Sequence, residues 1–441
     1  MAPMTIKRRE RETIIRALRS GVVPKIGLRH IQVGRAAEIT EMIRDIEYAK
    51  EGGASIRFVI GEYGAGKTFF LNLVRLVALE QGMVVMGADL TPTRRLYATG
   101  GQARSLFAEM THNLSTRTKP EGGALANLVE RLVTQAEREA NRKGRGVEAE
   151  IGDKLSSLEE YVGGPDFATV AYRYWQGHEL GNDQLKSDAL KWLRAEMSTR
   201  TEARQALGVR TIIDDASLYD HVKLFSAFVR VAGYRGLVVV LDEMANLHRL
   251  THSGTRKANY EQILRILNDV LQGDASYLGF LMGGTPEFLT DTRRGLYSNA
   301  ALQSRLAENT FARGGLADLS GPVIRLNNLL PEDLYVLLEN IRRVFAAGDN
   351  VAELISDQGL HAFMTHCSER IGDAYFRTPR NTVKEFVNLL SVIEQNPGTD
   401  WRQLIGDVHV DEDRGDDLDR ITDAGDGRGP AGDDELAYFR L

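Results

Sequence analysis

The stretch that most restricts the fold is residues 58–73, FVIGEYGAGKTFFLNL, an apolar run that passes through a glycine-rich turn into a helical pattern. Gly61, Gly66, Lys67 and Thr68 stand at the G-x-x-x-x-G-K-[ST] spacing of a phosphate-binding loop. Each residue type has a task there. The glycines, Gly64 included, let backbone N–H groups converge on phosphate oxygens, Lys67 neutralises charge, and the Thr68 hydroxyl can ligate Mg²⁺. Ile56, Phe58, Val59 and Ile60 read as a buried strand, and residues 69–80 as a helix with Leu71, Val74 and Ala78 inward. A bare glycine-rich turn between strand and helix is the plain alternative. The strand–loop–helix context favours a nucleotide, with Glu62, Tyr63, Ala65 and Phe69 completing the cradle between and beside the motif residues.

With 441 residues, 43% of them hydrophobic and 26% charged, the chain can bury one large or two moderate cores. A net charge of −6 does not advertise a nucleic-acid binder. Acid is crowded into the C-terminal segment, however, so the remainder is closer to neutral and double-stranded DNA stays a candidate partner. The single cysteine, Cys367, excludes an internal disulfide framework and offers no metal cluster, which suits a reducing, cytoplasmic setting. No apolar run reaches bilayer length and the polar N-terminus lacks a hydrophobic signal segment, so no membrane partner is expected.

The N-terminal segment, residues 6–19, IKRRERETIIRALR, places Ile14, Ile15 and Leu18 at helical spacing and reads as a surface helix docked by one edge. Its Lys7, Arg8, Arg9 and Arg11 alternate with Glu10 and Glu12, the pattern of a solvated face rather than of a phosphate-binding strip. Further on, Val33, Gly34 and Arg35 end an extended apolar segment and lead into a helix. Residues 83–88 form a second apolar strand that ends at Asp89. Residues 101–207 change texture: helical patterns separated by polar stretches, with Tyr172, Tyr174, Trp175 and Trp192 reading as a helical core rather than a base-stacking platform.

Core grammar returns with an amphipathic helix at residues 219–231 and the buried strand GLVVVL, residues 236–241, which delivers Asp242 and Glu243. A strand-terminal Asp242 is placed to hold Mg²⁺, and Glu243 to polarise the water that attacks a γ-phosphate; an acidic helix cap is the alternative. A further apolar run, residues 277–282, leads to Thr285, which is either a γ-phosphate sensor or a turn residue. In LQSRL, Arg305 is the candidate for an arginine supplied to a neighbouring copy, with Arg293, Arg294 and Arg313 as rivals. Residues 331–396 are helical throughout. Within RTPRN, Arg380 stands near a helix start, where the helix dipole does not favour positive charge, and an anion-facing role follows, with Arg377 as the second candidate. The Asp- and Gly-rich end has too little apolar content to offset ordering entropy and reads as disordered.

The segments GLRHIQVGRAAEI, FVIGEYGAGKTFFL, IIDDASLYDHVKLFSAFVRVAGYRGLVVVLDE, FLMGGTPEF and RTPRNTVKEFVNLL together resemble the ATP-binding proteins of BREX phage-defence systems, in their short, BrxD-like form. These are P-loop proteins close to the AAA+ and STAND ATPases. The resemblance runs over residues 8–390 and is specific in combination, though no single motif is. It implies ATP and Mg²⁺ as ligands, an adenine-embracing backbone at Val33, Gly34 and Arg35, and a place beside helicase and methyltransferase components in restricting phage.

The expected architecture is α/β: an AAA+-like P-loop core with a parallel sheet, a helical insertion and a C-terminal helical lid. Residues 1–100 and 208–330 supply the core, 101–207 the insertion, 331–396 the lid, and 397–441 an acidic tail. Two functions fit: an ATPase, expected as a homo-oligomer, that acts on DNA or a DNA-processing partner, or a STAND-like switch that holds ATP and recruits an effector.

Overall fold

Five parallel strands order the molecule: β1 (Ala54–Gly61), β2 (Val84–Asp89), β3 (Leu237–Asp242), β4 (Leu278–Gly284) and β5 (Val323–Leu326). The computed structural model describes residues 6–311, 318–349 and 353–407, so Arg313 and the acidic residues past 407 lie outside the description. The strands lie side by side in the order β2-β3-β4-β1-β5. β4 therefore separates the strand that feeds the glycine-rich loop from the strand that ends in Asp242. Register is continuous from Ala54↔Leu278 to Ile60↔Gly284 and from Val84↔Leu237 to Asp89↔Asp242. Parallel pairing requires crossover connections, and the covered strands read as nearly unbroken apolar runs because both faces are buried.

Alternation along β1 sends Phe58 and Ile60 to one face and Val59 to the other. On the Val59 face, the helices Ala36–Lys50 and Lys67–Glu80 pack through Met42, Ile46, Phe70, Leu71 and Val74. On the opposite face, residues 101–231 form one continuous apolar core with the sheet rather than a separate one. Its centre is aromatic: Phe107, Phe167, Trp192, Phe225 and Phe228 meet edge to face with centroids 5.0–6.2 Å apart. Tyr174 and Trp192 are buried there, and Tyr172 stacks obliquely on Trp175. That is the helical-core reading of these aromatics.

A third core joins the two ends of the chain. Ile14, Ile15 and Leu28 pack with Leu334, Leu338, Phe363, Phe386 and Leu390 of the C-terminal helices. The N-terminal helix Arg8–Arg19 thus packs as part of the C-terminal helical bundle, and its Arg11 is fixed by donating to the Phe345 carbonyl at 2.9 Å and by pairing with Glu12 and Glu394. Within the span expected as tail, Trp401–Asp407 is a helix whose Ile405 is buried in this third core. β5 escaped the sequence reading. It is four residues long at the sheet edge, and its alternating exposure, with Arg325 outward and bonded to Glu308, leaves no apolar run to notice.

Candidate nucleotide-binding site

The glycine-rich loop leaves β1 and enters the helix Lys67–Glu80 through two left-handed glycines, Gly64 at φ +82° and Gly66 at φ +83°. Gly61 is required for a different reason: a Cβ there would lie 3.0 Å from the Leu326 carbonyl and 3.1 Å from the Ala65 Cβ. Lys67 Nζ curls back over the loop and donates to the carbonyls of Gly61 and Glu62, both at 2.8 Å. Burial lowers the Lys67 pKa, against the opposing pull of Asp242, Glu243, Glu62 and Glu287.

Across the sheet, Thr68 Oγ1 donates to Asp242 Oδ2 at 2.7 Å. A hydroxyl from the loop helix and a carboxylate from the end of β3 are thus joined over the end of β4. Gly283 makes this possible, since a Cβ on it would stand 2.4 Å from Asp242 Oδ1. That same Oδ1 accepts from the Glu243 N–H at 2.9 Å, and the Met244 N–H donates to the Gly283 carbonyl at 2.9 Å. The two bonds hold Glu243 at φ +57°, a left-handed conformation that costs a non-glycine residue about 1–3 kcal/mol. Glu243 is exposed at its surface but walled by protein. Desolvation first, then Asp242 and Asp89, push its carboxyl pKa up, while Lys67 and Arg249 pull it down.

The lead-in segment and the lid both reach the loop. Arg35, itself left-handed at φ 63°, donates to the Ala65 carbonyl at 3.4 Å and to the Asn327 carbonyl. It therefore clamps the Val33-Gly34-Arg35 segment between the loop and the exit of β5. From the lid, Arg380 Nη1 donates to the Tyr63 hydroxyl at 3.1 Å, and a Cβ on Gly64 would come within 3.0 Å of Thr378. Arg377 turns away to Asp373 at 3.2 Å. Of the two arginines in RTPRN, Arg380 is the one against the loop.

The remaining candidates are scattered. Thr285 follows β4, in the correct layer, but its Oγ1 accepts from the Phe288 N–H at 3.4 Å and caps the short helix Pro286–Thr290. Its hydroxyl proton stays available to another acceptor. Arg305 is exposed and, among the described residues, bonds only to the Ala301 carbonyl of its own helix, at 3.1 Å. Arg294 is committed to the carbonyls of His248, Arg249 and Leu250, which end the helix Ala245–Arg249, so its charge serves the fold.

Two carboxylates were missed. Asp89 ends β2 in register with Asp242, and burial together with that neighbour raises its pKa. Glu287 stands near enough to Lys67 to act on its charge. Asp89 had a signal, a strand-terminal acid one strand from another, that a chain read without its register does not display. Thr68, Asn72, Asp89, Arg94, Glu109 and Asp242 line a cleft of about 380 Å³. Among the described residues, no three His, Cys, Asp or Glu side chains gather as a metal cluster, and no helix is long and apolar enough to cross a membrane. The chain matches no curated protein. Over residues 6–409 it matches the profile of the BREX system ATP-binding protein family BrxC/D.

Proposed function

The chain belongs to the BREX-system ATP-binding proteins, and from that premise we propose that it hydrolyses ATP on an AAA+-like P-loop core and couples turnover to DNA, or to a DNA-processing partner, in phage defence. The observation that carries the reading is the 2.7 Å contact between Thr68 Oγ1 and Asp242 Oδ2, with Lys67 and Glu243 on either side. The strand order, with β4 between the loop strand and the Asp242 strand, supports it.

In this reading Lys67 exchanges the Gly61 and Glu62 carbonyls for β- and γ-phosphate oxygens, and the backbone N–H groups of residues 64–69 receive the rest. Thr68 and Asp242 offer a hydroxyl and a carboxylate, the hard oxygen ligands that suit Mg²⁺, which keeps most of its other positions for water and phosphate. Bound there, the ion would neutralise charge on the phosphates. Glu243 takes a proton from the attacking water as its oxygen bonds to the γ-phosphorus and the bridge to the β-phosphate breaks. Thr285 orients that water, and Val33, Gly34 and Arg35 flank the adenine. Arg380, with Arg377 behind it, reaches the phosphates from the lid, and Arg305 acts on the nucleotide of a neighbouring copy. The second reading, a switch that holds ATP without rapid turnover, is favoured by two contacts, Arg380–Tyr63 and Thr378–Gly64, through which the lid already rests on the loop.

Turnover and nucleotide affinity in two variants test the assignment. Glu243→Gln should bind ATP normally and lose on the order of 10²-fold or more in turnover, because a positioned base contributes that much. Lys67→Ala should lose binding. Wild-type turnover in Glu243→Gln moves the catalytic carboxylate elsewhere, and slow turnover in the wild type that Glu243→Gln leaves unchanged favours the switch.

A further inference from the structure

A second cleft, of about 510 Å³, opens at the other end of the sheet. Gly82 and Met83 on its wall lead into β2 and Arg235 leads into β3, so it lies at the amino ends of the strands. Asp89 and Asp242 end those same strands. Six residues of strand separate the two sites by about 20 Å at 3.3 Å per residue.

Four arginines from four segments line this cleft, and Glu80 is the acid among them. Two are held rigidly. Arg131 donates from Nε to the Ala232 carbonyl at 3.1 Å and from Nη2 to the Gly233 carbonyl at 3.2 Å, with its guanidinium 4.5 Å over the Tyr234 ring. Arg230 donates to the Tyr234 carbonyl at 2.9 Å and lies 4.3 Å over Tyr277. These bonds use only part of a guanidinium's five donors, and the partial negative charge of the helix end they meet offsets only part of the two full charges. Arg117 and Arg235 are exposed, and among the described residues none of the four arginines enters an ion pair. Unpaired positive charge concentrated in one cleft of a chain with net charge −6 is not a solvated mixed face.

We propose that this cleft binds the phosphodiester backbone of duplex DNA, with Arg131 and Arg230 as fixed anchors and the exposed Arg117 and Arg235 as forks on successive phosphates. One free phosphate is satisfied by one or two guanidinium forks, whereas four in an open cleft suit a run of phosphates. The contacts are to the backbone, so binding is insensitive to sequence and steeply dependent on salt. The proposal rests on the reading that this protein works at DNA, and it separates the DNA face from the ATP end.

The test is anisotropy of a short fluorescent duplex of mixed sequence, titrated with the full chain over a range of salt concentrations, with ATP affinity measured on the same preparations. Arg117→Ala/Arg235→Ala should weaken duplex binding at least about tenfold and lower the slope of log affinity against log salt by about 2, since each phosphate contact contributes about 1. Arg117→Lys/Arg235→Lys should keep most of the slope. ATP affinity should stay at the wild-type value throughout, so a failure here is distinguishable from a failure of the ATPase reading. Tripolyphosphate provides the small-anion arm. Binding of tripolyphosphate at these arginines without duplex binding overturns the proposal in favour of a small ligand. Duplex binding that the double alanine variant leaves unchanged, or a wild-type chain that does not bind duplex, also overturns it.

Discussion

At the carboxyl ends of the strands charge is mixed, with Lys67, Lys25, Arg94 and Arg249 acting on Asp89, Asp242, Glu243 and Glu287, whereas at the amino ends four arginines stand beside one acid, Glu80. Yet the first end is the one read as holding a triphosphate. The difference lies in the backbone. Parallel strands with helical crossovers bring helix N-termini to the carboxyl end, where free N–H groups and glycine turns bind phosphate without side-chain charge. Acid at that end fits the proposed function, in which a divalent cation would accompany the nucleotide. At the amino end the helices finish, and their last carbonyls carry the opposite partial charge. Arg131 and Arg230 donate to such carbonyls, at Ala232, Gly233 and Tyr234, just past the helix Leu218–Val231. An anion can be held at this end only by cationic side chains.

The comparison breaks most sharply on Arg305. If the acid-rich end lacks a cation that a neighbouring copy supplies, Arg305→Ala should bind ATP normally and lose on the order of 10³-fold in turnover, the usual worth of an arginine acting in trans. Mixing it with Lys67→Ala protein, which keeps Arg305, should restore activity at mixed interfaces. Mixtures no more active than the sum of the separate variants, with co-assembly demonstrated, would make the carboxyl end complete within one chain and Arg305 a surface residue.

A smaller effect is expected at Gly283. Alanine there drives a Cβ to 2.4 Å from Asp242 Oδ1 and 2.8 Å from Leu71 Cδ1, so the Asp242 carboxylate must move off Thr68. Overpacking of this kind costs about 1–3 kcal/mol in stability. The Mg²⁺ concentration for half-maximal turnover should rise about tenfold, in line with losing one well-placed ligand contact worth about 1.4 kcal/mol, while duplex binding at the arginine cleft stays unchanged. Unchanged Mg²⁺ dependence would show that the hydroxyl–carboxylate pair does not hold the ion.

The loop end was largely legible because its chemistry is local in sequence. The apolar strand, the spaced glycines, Lys67 and Thr68 occupy one short stretch, and the inward residues Leu71, Val74 and Ala78 are all buried. Asp242 and Glu243 announce themselves as acids closing an apolar run, although the left-handed backbone at Glu243 has no sequence signature. What could not be read depends on register and on turns that meet only in three dimensions. Asp89 matters because it pairs with Asp242 across strands, and β5 exists because a four-residue edge finds β1. The arginine cleft draws Arg117, Arg131, Arg230 and Arg235 from places as many as 118 residues apart, none of them in a basic run. RTPRN lay between these cases: the odd charge at a helix start marked Arg380, and only the structure supplied Tyr63 as its partner.

The last effect, one of rate, comes from Cys367, which sharpens the comparison by reporting on one end alone. It is buried in the lid core, where desolvation first and Glu385 second push its thiol up to about 12, so it is protonated and unreactive at neutral pH. Alkylation then requires the lid to open locally, and its rate measures that opening. The lid touches the loop through Arg380–Tyr63 and Thr378–Gly64, so ATP bound beneath it should suppress opening. If opening requires release of the nucleotide, labelling slows about 100-fold when ATP is present at 100 times its dissociation constant. Duplex DNA at the arginine cleft should leave the rate as it was. Equal protection by DNA would mean that the two ends of the sheet are coupled in the resting chain, and no protection by bound ATP would detach the lid from the loop.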